Sequence, residues 1–445
     1  MYNHKFYKQN RRLLMIGTFL EYFDLMLYVH MASILNDVFF DTTSGFNEKY
    51  GAAFAFCSTF LLKPFGGFFM GYLGDKYGRK SVLILSTSIM ALCCLVIANL
   101  PPYAQIGISA SITLTLCRLI QGFASIGETT SSEIYMAENL SPPKRYFSTA
   151  LIAYAGVLGM AFALFIAKLI ITFNLNWRVV FWIGSIIAII GYRARRVLHE
   201  SPEFLSAKQK LLVLLKIDQN TKKGKLAMQD EHLSPMLIIS PVRAKFAYFC
   251  AFCGWPVCFY FSYVYCGDIL KQDFNFTKEM VIHHNFNLSL FNIVGLFGWV
   301  YLTNFIHPLK LLQFKLFFYV PFLCSVPFLL TIAESSSLIL FIQIIGIVLG
   351  NSTIPAKGVF LMHFGTLERF KYSAFLNGLS HVALYIATSF GLSYFRNKMG
   401  NYGILCISLP ATLAFAWGVK EFIRMEKKTG DYYIDFKTTQ NELSN

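Results

Sequence analysis

Apolar runs of about twenty residues recur along the whole of this 445-residue chain, and a helix of that length spans a ~30 Å hydrocarbon core. Charged residues make up only 14% of the sequence and hydrophobic ones 55%, against about 25% charged in a soluble domain. So much apolar surface cannot be hidden in a water-soluble core. Backbone groups in lipid must bond internally, so the runs are expected to be helices. Twelve spans are predicted, at about 13–36, 52–73, 82–100, 107–135, 149–172, 179–197, 239–266, 281–304, 309–331, 337–360, 373–394 and 403–424. The fourth is long and polar for a span. The first follows Lys5, Lys8, Arg11 and Arg12 and lacks a small-residue cleavage site, so it is expected to be retained.

The loops sort by charge. Lys76, Arg79 and Lys80, then Lys144 and Arg145, then Arg193, Arg195 and Arg196 fall on one side, with Lys310, Arg369, Lys371 and the tail residues Lys420, Arg424, Lys427 and Lys428. The opposite loops carry Asp37, Asp41, Glu48, Asp268 and Asp273. The positive-inside rule then predicts both termini in the cytoplasm. It also accounts for the net charge of +15 without nucleic acid. The polar, Lys-rich stretch Glu200 to Met236 divides the spans six and six, as in transporters built from repeats. The expected organisation is a first six-helix bundle over 1–200, a linker over 201–238, a second bundle over 239–426 and a tail over 427–445.

Ionisable residues inside spans are costly and are by default candidates for function. Glu21, Asp24 and Tyr28 recur at i, i+3, i+7 and share one face of the first span. Arg118, Gln121, Ser125 and Glu128 share one face of the fourth, beside Gly122 and Gly127. Arg118 can bind a carboxylate solute, or equally neutralise Asp24, Glu21 or Glu128. Glu133 and Glu138 lie nearer the cytoplasmic end. Lys168, Lys357 and His381 also fall within spans; each lysine can serve an anion or snorkel to the interface. Trp255, Tyr260, Tyr263 and Tyr265 in the seventh span are either an aromatic site for a quaternary ammonium or, more commonly, lipid-facing residues. Cys250 and Cys253 have redox spacing but sit mid-span and read as small hydrophobes. There is no phosphate-binding glycine loop and no convincing metal or nucleophile set, so an enzyme is not expected.

Between the second and third spans runs a dense turn, Gly71-Tyr-Leu-Gly-Asp75-Lys76-Tyr-Gly78-Arg79-Lys80. In place and pattern it resembles the signature loop of the major facilitator superfamily. The stretch from Gly17 through Glu21 and Asp24 to Tyr28 resembles the first span of that superfamily's metabolite:proton symporters. So do Arg118 to Glu128, Tyr135 to Glu138, Trp177-Arg178 and Glu200-Ser-Pro202-Glu203-Phe204. Within that family the chain looks most like the proline/betaine transporters. The second half departs from the pattern. Its corresponding loop keeps Gly298 but has Asn304, Phe305, His307 and Lys310 where an acid, a base and a Gly-Arg are expected, although Arg369 to Ala374 and Gly378 still fit.

The resemblance implies an all-α membrane fold of twelve helices in two pseudo-symmetric six-helix bundles. It implies that spans 1, 4, 7 and 10 line a central cavity, with Glu21, Asp24, Arg118 and Glu128 on the solute and proton path. The expected activity is proton-coupled uptake of a small zwitterionic or organic-acid solute by a monomer in a bacterial inner membrane, with no cofactor beyond the proton. The lost loop motif motivates two alternatives, an uncoupled or exporting carrier and a non-transporting sensor or scaffold. Asp75 is expected to accept hydrogen bonds from a helix N-terminus, making the loop a cytoplasmic gate that works largely alone.

Overall fold

A computed structural model describes residues 4–40, 60–173, 175–196, 200–201, 203–209, 241–429 and 432. Asp41 and Glu48, the start of the second span, most of the linker and most of the tail lie outside the described residues. The first half consists of α1 (His4–Phe39), α2 (Lys63–Tyr77), α3 (Arg79–Asn99), α4 (Ile108–Asn139), α5 (Lys144–Thr172) and α6 (Arg178–Arg196). In the second half are α7 (Val242–Asp273), α8 (Lys278–Leu302), α9 (Pro308–Thr331), α10 (Ser336–Val348, resumed at Lys357–Met362), α11 (Arg369–Met399) and α12 (Leu405–Thr429). Twelve helical spans are thus present, in the predicted order. Among the described residues, seven stretches are long and apolar enough to cross a bilayer, the last of them covering both α11 and α12. Of the others, α1 carries Arg11, Arg12, Glu21 and Asp24, α2 is described over only 15 residues, α6 ends on Arg193, Arg195 and Arg196, and α10 breaks before Pro355.

The outward face fits a lipid solvent. Phe65, Phe68 and Phe69 on α2 and Phe314, Phe317 and Phe318 on α9 are exposed, an apolar surface too extensive for water. Pro321 and Pro327 inside α9 and Pro410 inside α12 are tolerated, as is common where neighbouring helices satisfy freed backbone groups. Helix starts follow local capping chemistry. Thr277 accepts from the Met280 N–H at 3.2 Å to open α8, and His307 Nδ1 accepts from Leu309 N–H at 3.3 Å to open α9, with Pro308 first in the helix.

Within α7, residues Tyr260–Tyr265 form a π-helical turn, which leaves carbonyls without their usual intrahelical partners. Asn285 on α8 donates to the Tyr263 carbonyl at 3.1 Å, and Gln343 on α10 to that of Ser262 at 2.6 Å. Tyr260, Tyr263 and Tyr265 are buried, which corrects the lipid-facing reading: the π turn rotates them into the bundle.

The halves meet along two seams. In one, α2 lies along α11; in the other, α5 lies along α8. The first seam is tight because glycines remove the side chains between backbones. A methyl group at Gly67 would meet the Ala374 carbonyl at 2.5 Å, and one at Gly378 would meet Lys63 backbone at 2.7 Å.

Candidate functional site

The signature turn is a single-residue joint. Gly78 alone separates α2 from α3, at φ +108°, a conformation that side-chain-bearing residues avoid. The sharp reversal brings Asp75 and Arg79 to one point. Asp75 accepts the backbone N–H groups of Lys371 at 2.9 Å and Phe370 at 3.3 Å, in the first turn of α11. A carboxylate there faces both unpaired donors and the positive end of the helix dipole.

Arg79 is fully buried and works as a four-way tie. Its Nη1 donates to the Gly74 carbonyl at 2.8 Å and to Asp75 at 3.2 Å; its Nη2 donates to Glu138 and to the Thr366 carbonyl, both at 2.9 Å. Glu138 also binds Arg369 of α11 at 3.0 Å and Ser201 at 2.6 Å. Glu203 pairs with Arg369 at 3.1 Å, the Phe204 ring lies 4.5 Å from the Arg79 guanidinium, and Glu200 accepts the Arg79 N–H at 2.9 Å. The Glu200–Phe204 segment is therefore part of the same closure. Lys80 donates to the Arg196 carbonyl at 2.8 Å, while Lys76 is exposed and lies over Tyr72 and Tyr77. Gly71 lies so close to Lys371 that a methyl group there would overlap its backbone.

The second half supplies different chemistry at the same end. His307, opening α9, and His363, closing α10, converge on Glu426 of α12, at 3.5 Å and 2.9 Å. His307 also packs its ring edge-on to Tyr146 of α5, with centroids 5.4 Å apart. Arg369 and the α11 N-terminus complete the network of the first-half turn, and a His–Glu–His cluster joins α9, α10 and α12 in the second half. The residue types of this cluster differ from those of the expected motif, which hid it from motif reading.

Deeper in the first half, the sequence candidates divide between two networks. Asp24 accepts from Gln121 Nε2 at 2.7 Å and from the Cys94 thiol at 2.8 Å. Gln121 Oε1 accepts from Arg118 at 2.7 Å, and the guanidinium lies 4.2 Å from the Tyr28 ring. Arg118 thus reaches Asp24 through Gln121, with no ion pair of its own to a carboxylate within 4 Å among the described residues. Glu128 belongs to the second network. It accepts from Ser86 at 3.1 Å and Thr87 at 3.0 Å and pairs with Arg195 at 2.6 Å. Arg195 read as a basic loop residue, yet it is 2% exposed and turned inward. Gly17 makes room for it; any side chain at that position would strike its guanidinium. Glu21, Asp24, Glu128 and Arg195 line one small cavity between α1, α3, α4 and α6. It lies within the first bundle.

Nearer the boundary between the halves, Thr129 donates to Glu21. Lys357 of α10 pairs with Glu133 of α4 at 2.5 Å, bridging the two halves. His381 Nδ1 donates to the Asn377 carbonyl at 2.8 Å. Lys168 is half-buried, its ammonium 4.9 Å from the Phe286 ring. Lys63, buried on α2 beside Phe60, was missed, although a lysine followed by proline inside an expected span was visible. Glu133 and Arg195 were seen but not selected.

A family model described as the Major Facilitator Superfamily matches residues 14–392. Similar curated proteins include the proline/betaine transporter of Salmonella typhimurium, 35% identical over 203 residues, 44% of this chain and 41% of that protein. A putative proline/betaine transporter of Staphylococcus aureus is 37% identical over 198 residues, 42% of each chain. The glycine betaine/proline/ectoine/pipecolic acid transporter OusA of Dickeya dadantii is 32% identical over 216 residues, 47% of this chain and 42% of that one. The match thus spans well under half the length of these relatives. Among solved structures, the proton:xylose symporter XylE superposes with TM-score 0.73 at 15% identity, covering 96% of both chains. The Escherichia coli fucose:proton symporter FucP does so with TM-score 0.65 at 12% identity, covering 94% of this chain and 98% of that one.

Proposed function

This chain belongs to the Major Facilitator Superfamily, and we propose that it is a proton-coupled symporter importing a small zwitterionic or organic-acid solute by alternating access. The reading rests first on the cavity shared by Glu21, Asp24 and Glu128. Three carboxylates gathered inside a membrane bundle are expensive unless they do work. Desolvation favours a protonated carboxyl and a nearby guanidinium opposes it. A rearrangement that moves Arg195 relative to Glu128, or Gln121 relative to Asp24, therefore loads or releases a proton. The tie from Asp75 and Arg79 to α11 fits a state closed at the basic end, which we assign to the cytoplasm from the loop charges. The transporter names of the relatives support the solute class.

Uptake of labelled proline and glycine betaine by reconstituted protein under an imposed proton gradient tests this. Accumulation that an uncoupler abolishes is expected. Accumulation that the uncoupler leaves intact removes the proton from the mechanism. Asp24→Asn and Glu128→Gln are each expected to lower coupled uptake by about a hundredfold or more, the scale of a lost general acid–base group. Coupled uptake retained by both variants overturns the residue assignment.

A further inference from the structure

Asp24 is buried, and both of its carboxyl oxygens are engaged. Oδ2 accepts from Gln121 Nε2 at 2.7 Å and Oδ1 from the Cys94 thiol at 2.8 Å. A proton added to Asp24 must land on one of these oxygens, which then becomes a donor. The partner on that side must be able to stop donating.

Gln121 has no such freedom. Its Oε1 accepts from Arg118 Nη1 at 2.7 Å, and a guanidinium keeps its protons and offers no acceptor. Turning the amide over would set its NH2 group against that guanidinium, donor to donor, where both side chains are fully buried. Arg118 is held in turn by the Leu25 carbonyl at 3.3 Å and by the Tyr28 ring. Gln121 therefore donates to Oδ2 whatever the charge of Asp24. Cys94 differs, because a thiol both donates and accepts and its hydrogen turns about the Cβ–Sγ bond. The cavity of the first bundle opens on the same side. Asp24 and Cys94 line it, whereas Gln121 and Arg118 do not. Gly184 of α6 leaves the pair uncovered there: a methyl group at that position would lie 3.8 Å from Sγ and 3.9 Å from Oδ1.

The ionisable groups around Asp24 are Glu21 of its own helix, Glu128 of α4 and Arg195 of α6, which line the cavity, and Arg118 of α4 behind Gln121. Lys168 of α5 lies over Phe286 instead. We propose that Cys94 is the positioning residue for the proton on Asp24. The proton arrives from the cavity at Oδ1, and the thiol changes from donor to acceptor as it does. The step moves one proton: the carboxylate becomes a neutral acid, Oδ1–H donates to Sγ, and the thiol keeps its own hydrogen. On release the thiol turns back and donates to the carboxylate again. The inference rests on Asp24 as a proton carrier of the proposed symport and adds the group that lets it switch.

Infrared difference spectra of the purified full-length protein, taken between alkaline and acidic pH, read both groups without requiring transport. A carboxyl C=O band that is absent in Asp24→Asn should appear on acidification, and an S–H stretching band should shift with the same midpoint. Cys94→Ala should lose the S–H change. It should also move the Asp24 midpoint, and with it the pH profile of uptake, upward by about one pH unit, because the carboxylate loses one hydrogen bond. Cys94→Ser, whose hydroxyl donates and accepts as the thiol does, should keep the wild-type midpoint and profile. A packing role would leave the two variants alike, since both remove the volume of the sulfur. No Asp24-dependent carboxyl band, an S–H band that stays fixed while Asp24 protonates, or a Cys94→Ser profile matching that of Cys94→Ala overturns the inference. Coupled titration of the two groups in a protein whose uptake survives an uncoupler leaves it standing and overturns the proton-coupled reading instead.

Discussion

The two corners where the halves meet at the basic end are built from equivalent helices and differently made. At the α2–α11 corner, Asp75 binds two N–H groups of the α11 N-terminus, and Gly71 lets the backbones touch. At the α8–α5 corner, Asn304 donates to the Tyr301 carbonyl of its own helix at 3.0 Å. A methyl group at Gly298 would meet nothing within 4 Å. A charge-assisted bond to a helix end outweighs a neutral one. The fold's pseudo-symmetry is therefore not matched by symmetry of force. One corner clamps across the halves through a buried carboxylate and two arginines, whereas the other carries the neutral Asn304 and, across the halves, the ring contact of His307 with Tyr146.

The largest difference between the corners should appear on removing their arginines. Arg79→Gln leaves the buried Glu138 without one of its two cations and should cost about 3–5 kcal/mol of stability. Arg145→Gln, at a half-buried side chain that donates to the neutral Leu140 carbonyl at 2.7 Å, is expected to cost less, because loss of that bond strands no buried charge. Chemical denaturation in detergent compares them, and equal losses would erase the proposed asymmetry. A smaller contrast lies in the glycines. Gly71→Ala forces α2 off α11 at a cost of about 1–3 kcal/mol, whereas Gly298→Ala should be neutral or stabilising by up to about 1 kcal/mol. Thermal melts of the pair check this; a destabilising Gly298→Ala would mean that the second corner closes more tightly than its open space indicates.

The sequence made the helical architecture legible because lipid leaves the backbone few options and the apolar runs are long. Contacts were less legible. Glu21, Asp24 and Tyr28 share a face by spacing, yet Glu21 turns to Thr129 while Asp24 turns to Cys94 and Gln121. Helical periodicity fixes a direction to within a turn but not which neighbour stands there. Arg195 looked like loop charge because it sits among Arg193 and Arg196. Only the placement of Gly17 and Glu128 shows that the last turn of α6 points it inward. The His–Glu–His cluster was hidden for another reason: its three members come from separate helices, in residue types that the expected motif does not contain.

The most direct test of this unequal closure is uptake of labelled glycine betaine into vesicles by Asp75→Asn and Asn304→Ala, side by side, at matched protein levels. Asp75→Asn should lose most of its uptake, because the α11 N-terminus is no longer held by a charge, while Asn304→Ala, which removes a neutral side chain, should lose clearly less. Equal uptake by the two variants would contradict it.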